Sequence, residues 1–197
     1  MVERLASLII GQMEKEKLME QRREEEYVYA FVTITEKWIT VASVMGISFM
    51  FKQFIPEVLF LMFFLALRKR TGGYHAEKFW QCYLETLTTC VVIICICPTL
   101  VTHMSIIYVL LVCSIILIGV IGSVNHPNMA MDVLELAESK KAARCMVVLE
   151  CMILFIAIII ELDKIYVCYM SAAIILCAIL LCIAKLIGQE VHEDGKE

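Results

Sequence analysis

Arg68-Lys-Arg-Thr-Gly-Gly-Tyr-His-Ala-Glu-Lys-Phe-Trp-Gln-Cys82 joins an apolar run over residues 54–67 to a second over 79–98. Four cations, a glycine pair, and a histidine seven residues before a cysteine lie within it. A basic break between two long apolar runs marks a point where the chain leaves a membrane on the cytosolic side and enters again. The fold class turns on that reading, and the rest of the chain agrees with it.

Of the 197 residues 61% are hydrophobic, with only three prolines and eight glycines. Soluble domains are about 45–50% apolar, and a mean hydropathy of +0.82 lies far beyond them. Several uncharged runs approach the ~20 residues that cross a bilayer as a helix. The chain reads as a single all-α polytopic membrane domain, 1–197, with little room for a separate soluble domain. Six membrane segments are expected at 29–51, 54–67, 79–98, 104–122, 145–161 and 165–187. Short connections fall at Lys52-Gln53, Thr99–His103 and Glu161–Lys164, and two longer polar stretches at 68–78 and 123–144.

The first 26 residues do not read as a secretory signal, because Leu5–Ile10 is too short for an apolar core and no small-residue cleavage site follows. Val2, Leu5, Ile9 and Met13 recur at three- and four-residue intervals among Arg4, Lys15, Lys17, Arg22 and Arg23. That pattern predicts an amphipathic helix lying on the membrane surface, and it fits equally a solvated helix packed on the protein's own core. With both termini inside, fourteen of the 17 lysines and arginines fall on the cytosolic side, in 1–26, 68–78, 140–144 and at Lys185 and Lys196. Only Lys52 and Lys164 fall outside, and Lys37 sits within the first segment. The bias places both ends in the cytosol. Residues 54–67 give about 21 Å of helix against a hydrocarbon core of about 30 Å. A re-entrant segment there would put Arg68-Lys69-Arg70 outside, against the charge rule, so a crossing is expected.

Ten cysteines do not make a disulfide framework here. Cys90, Cys95, Cys97, Cys113, Cys151, Cys168, Cys177 and Cys182 lie in apolar runs, where a thiol acts as a small hydrophobe. No spacing suits a structural metal, and a site of His75, Cys82 and His126 lacks a convincing further ligand. Neither metal nor cofactor is expected, and nothing suggests a nucleic-acid partner. Glu36, Glu85 and Glu150 fall inside expected spans, where a carboxyl group faces a cavity or a partner or is hydrogen-bonded within the bundle.

Cys82 is set apart by its neighbours. His75 can accept its proton, Lys78 is one turn before it, and Arg68, Lys69 and Arg70 are close in sequence. The third membrane helix, expected to begin near Ala76, would stabilise anionic sulfur at its N-terminus. On one straight helix the two side chains would stand about 10.5 Å apart along the axis, whereas proton transfer needs about 3 Å. The chain at His75 must therefore bend back, and Gly72-Gly73 supplies the freedom. A catalytic dyad and an incidental interfacial pair both satisfy these residue types.

The pattern Arg68-x-x-x-Gly72-Gly73-Tyr74-His75-Ala76 with Cys82 downstream resembles the signature of the accessory gene regulator B family of bacterial quorum-sensing peptide processors. The charged amphipathic N-terminus, the six-segment layout and the length resemble it too. The loop Val124-Asn-His-Pro-Asn128 is similar to the family's polar loop after the fourth segment. It departs from the pattern at Gly122-Ser123 and Met129-Ala130, and His126 is better read as part of a turn. The resemblance implies a cysteine endopeptidase of the bacterial cell membrane. Cys82 would attack a signal propeptide, with His75 as the base, and Gly72 and Gly73 near the oxyanion. The resulting thioester would then close to a thiolactone or lactone. It further implies that Arg68, Lys69, Arg70, Lys140, Lys141 and Arg144 hold an acidic propeptide tail, and it points to a homodimer. A third member orienting His75 is not evident; Glu77 and Glu85 are the candidates. The rival reading is a non-catalytic membrane transporter or scaffold for peptides.

Overall fold

The structure is a computed structural model and describes residues 24–72, 79–124 and 132–187. Among the described residues it is all-helical: α1 (Glu24–Met50), α2 (Phe54–Thr71), α3 (Phe79–Leu100), α4 (Met104–Ile121), α5 (Val133–Ile159) and α6 (Lys164–Leu186). A 3-10 turn, Val101–His103, joins α3 to α4. The proposed surface helix over residues 1–26 lies largely outside the described residues, as do His75, Glu77 and His126.

Each expected apolar segment coincides with a helix. Three helical stretches are long and apolar enough to cross a bilayer: Trp80–Ile121, which takes in α3 and α4, then Val133–Ile159 and Lys164–Leu186. α1 and α2 fall outside that set, since α1 carries Glu36 and Lys37, and α2 carries Glu57 and ends in Arg68, Lys69 and Arg70.

One boundary departs from expectation. The polar stretch 123–144 is not all loop, because α5 begins at Val133, twelve residues before the expected segment. The cause is local. Asp132 caps the helix, its carboxylate accepting from the Val133 amide at 2.7 Å, while the Glu135 carboxylate accepts from the Asp132 amide at 3.2 Å. An Asp-x-x-Glu capping box starts a helix whether or not apolar residues follow.

The bundle is organised around α6, which packs most extensively on α2 and α4 and also touches α3 and α5. Its Tyr169, Ile174 and Leu181 are fully buried, against Phe60 and Leu67 of α2 and Ile107 and Ile118 of α4 in one core. α3 and α4 scarcely touch each other, and each leans on α6. α1 is peripheral, lying on α3 and α2; the Tyr83 hydroxyl bonds Ser43 Oγ at 3.0 Å across that contact.

The up-and-down order gives the bundle a basic end and an opposite end. At the opposite end, tight turns pass through Lys52 and Glu161, both with positive φ. At the basic end lie the C-terminus of α2, the exit of α4 and the start of α5. Three links tie them together: the Val124 amide to the Thr71 carbonyl at 3.2 Å, and the Ser139 hydroxyl to the Arg70 carbonyl at 3.0 Å and to Ser123 Oγ at 3.1 Å.

Candidate active site around Cys82

The knot at the basic end determines where the segment between α2 and α3 starts. Gly72 terminates α2, and its amide bonds back to the Arg68 carbonyl at 3.1 Å. Its φ of 65° with ψ of −127° is open to glycine and very costly for other residues. A Cβ there would also meet the Val124 carbonyl oxygen at 3.0 Å. Gly122 ends α4 in a similar way, with φ 76° and the Lys140 side chain at 3.0 Å. Gly72 is thus required both by the turn and by the close approach of the α4 exit. The six residues that follow, including Gly73 and His75, lead to α3 and lie outside the described residues.

Cys82 is the fourth residue of α3, in its first described turn, and is half-buried. Its carbonyl accepts from Thr86 Oγ1 at 2.8 Å, an ordinary back-bond within the helix. Arg68, one turn before the end of α2, reaches across. Its guanidinium lies close enough to the sulfurs of Cys82 and Cys177 to interact electrostatically with both, and its Nη1 donates to the Gly72 carbonyl. One cation therefore braces the turn at Gly72 and lies within electrostatic reach of the thiol fourteen residues later in sequence.

Tertiary structure sorts the remaining basic residues. Arg144 donates to the Gly119 carbonyl at 2.9 Å, and Lys140 packs beneath Gly122. Lys69, Arg70 and Lys141 are exposed at the same end of the bundle. Among the intramembrane acids, Glu85 is exposed on α3. Glu150 is 3% exposed, and neither of its oxygens is hydrogen-bonded to a described residue. Glu57, in the first turn of α2, is fully buried, and its carboxyl group meets the Cys90 thiol but no nitrogen or oxygen partner among the described residues; the Tyr169 hydroxyl and Ser171 Oγ likewise lack a hydrogen-bond partner there. Sequence reasoning missed Glu57, although an acid directly after Pro56 in an apolar run is the signal that could have found it. No group of three or more metal-ligating side chains occurs among the described residues.

The family model described as accessory gene regulator B matches residues 6–184. The chain belongs to the accessory gene regulator B family. Membership in AgrB implies a role in accessory gene regulator quorum-sensing peptide processing, and it covers nearly the whole chain. Neither the curated proteins nor the solved structures gave a match.

Proposed function

We propose that this AgrB-family chain is a membrane cysteine endopeptidase. In this reading it removes the C-terminal tail of a signal propeptide and promotes closure of the remainder to a thiolactone or lactone. The observation that carries the reading is the placement of Cys82: half-buried, in the first described turn of α3, with the Arg68 guanidinium within electrostatic reach.

The chemistry follows from those groups. His75 takes the Cys82 proton, and the thiolate attacks the carbonyl at the end of the future signal. The oxyanion is met by backbone N–H groups near Gly72-Gly73 or at the start of α3. His75 then protonates the leaving amine, the tail departs, and an acyl-thioester remains on Cys82. A thiol or hydroxyl within the propeptide attacks that thioester, closes the ring and returns Cys82 to its thiol form. Water must be kept from the thioester, and a site among membrane helices suits that demand.

In the same proposal all six helices cross the bacterial cell membrane with both termini cytosolic, and the surface helix of residues 1–26 lies on the inner face. The site then opens to the cytosol, where Lys69, Arg70 and Lys141 are exposed to an acidic tail, and Arg68, Lys140 and Arg144 shape the surface around them. The partners are the propeptide, lipid and a second copy of the chain. The transporter or scaffold alternative rests on Glu57 and Glu150, because buried intramembrane carboxyl groups mark transport pathways in other proteins.

Co-expression with the candidate precursor, read by mass spectrometry of the peptide, separates the two. The peptidase reading expects cleavage to vanish in Cys82→Ala and His75→Ala at normal membrane levels, with a covalent precursor adduct only when Cys82 is present. Undiminished processing in Cys82→Ala would sink it and leave transport or scaffolding.

A further inference from the structure

A groove at the basic end takes no part in the bond-breaking steps, although Arg70 and Lys141 at its mouth also belong to the surface proposed above for the acidic tail. It has a volume of about 300 Å³ and is lined by Arg70 of α2 and by Ala142, Cys145, Met146 and Leu149 of α5. Those four residues follow i, i+3, i+4, i+7 spacing and therefore form one face. Their wall runs about 10 Å along the helix, from the basic end towards the middle of the bundle. Lys141 stands one turn before Cys145 on the same side. Arg70 and Lys141 are exposed, and neither makes a side-chain hydrogen bond or ion pair with another described residue. The bond from Ser139 to the Arg70 carbonyl holds the end of α2 against α5 and keeps the mouth in place.

A cation at the interface with an apolar channel running inward matches an amphiphile with an anionic head. A peptide would fit poorly along this wall, because beyond Arg70 the lining side chains offer no strong partner for its backbone N–H and C=O groups, each costly to leave unmet in hydrocarbon. We propose that the α2–α5 groove binds an anionic phospholipid of the inner leaflet, with its phosphate on Arg70 and an acyl chain along Ala142, Met146 and Leu149. Lys141 adds charge at the mouth.

Cys145 makes the test direct, since it lines the groove and is exposed. The full chain is placed in phosphatidylcholine nanodiscs with and without phosphatidylglycerol. Alkylation of Cys145 by N-ethylmaleimide is followed by mass spectrometry of the digest, with a thiol introduced at the exposed Ala137 near the start of α5 (Ala137→Cys), away from the groove face, as the internal control. Phosphatidylglycerol is expected to protect Cys145 and leave the thiol at 137 unchanged. Arg70→Gln should raise the phosphatidylglycerol needed for half-protection about fivefold, the effect of one interfacial cation. Met146→Trp, which fills the groove, should remove the dependence on lipid type. Equal protection of the control thiol, or full protection in Arg70→Gln, overturns the proposal. Protection by soluble glycerol phosphate alone would reduce the site to a phosphate anion site and overturn the acyl-chain part. Protection by an acidic peptide but not by phosphatidylglycerol would assign the groove to peptide recognition and overturn the whole.

Discussion

Gly72→Ala tests whether the knot at the basic end positions the segment that bears His75. At φ 65° and ψ −127°, an alanine is strained by roughly 1–3 kcal/mol. Its Cβ would also stand 3.0 Å from the Val124 carbonyl oxygen, a backbone atom that cannot rotate away. Moving that strand of chain disturbs the bond from the Val124 amide to the Thr71 carbonyl, worth about 0.5–1.5 kcal/mol. Together the loss is about 2–4 kcal/mol. Gly122→Ala is the matched control. Its φ of 76° carries similar strain, and its Cβ would stand 3.0 Å from Cβ and Cγ of Lys140 and 3.3 Å from its Cα, atoms fixed by the α5 backbone, so the stability loss should be similar, roughly 2–4 kcal/mol. Denaturant unfolding in uncharged micelles, followed by circular dichroism, gives both values from the midpoint shifts. Gly72 also precedes the segment that bears His75, so precursor cleavage should fall further in Gly72→Ala than in a Gly122→Ala sample of equal folded fraction. Stability within about 0.5 kcal/mol of the parent, or equal losses of cleavage in the two variants, would refute the argument.

Two further outcomes are expected. Arg68→Gln should slow alkylation of Cys82 by iodoacetamide at neutral pH about fivefold, on the order of 1 kcal/mol of charge interaction. Arg68→Lys should stay within about twofold of the parent because it keeps the charge, and equal rates in all three proteins would show that Arg68 does not act on the thiol. Asp132→Ala, which removes the capping box at the start of α5, should cost about 1 kcal/mol of stability, seen in the same unfolding assay; no shift would mean that the first turns of α5 are held by other contacts.

The helices themselves were legible because each apolar run is a local property of the chain and each break is marked by a charge, a glycine or a proline. Lys52-Gln53 and Glu161–Lys164 were identified as turns on that basis, and the structure has turns there. The family was legible for the same reason: Gly72-Gly73-Tyr74-His75-Ala76 and Cys82 form a short contiguous pattern. The start of α5 was not, since residues 133–144 are polar, and their helicity depends on the Asp132 and Glu135 cap rather than on hydropathy.

Which helix lies at the centre was decided by tertiary structure alone. In a chain of this kind both faces of a helix are apolar, so hydropathy does not separate inward from outward: Ile174 is fully buried, while Ile179, five residues later, is 49% exposed. The same holds for the site. Sequence placed Arg68 and Cys82 near one interface, but only the packing of α2, α3 and α6 brings the guanidinium within electrostatic reach of the sulfur. A left-handed turn at Gly72 was predictable from residue type, whereas the reason no side chain fits there is the Val124 carbonyl, fifty-two residues away. Sequence by itself determined the helices, the basic end and the family, because those are written in neighbouring residues. Tertiary structure decided the centre of the bundle, the burial of Glu57 and Glu150, and the cation within electrostatic reach of Cys82, because those depend on contacts between helices distant in the chain.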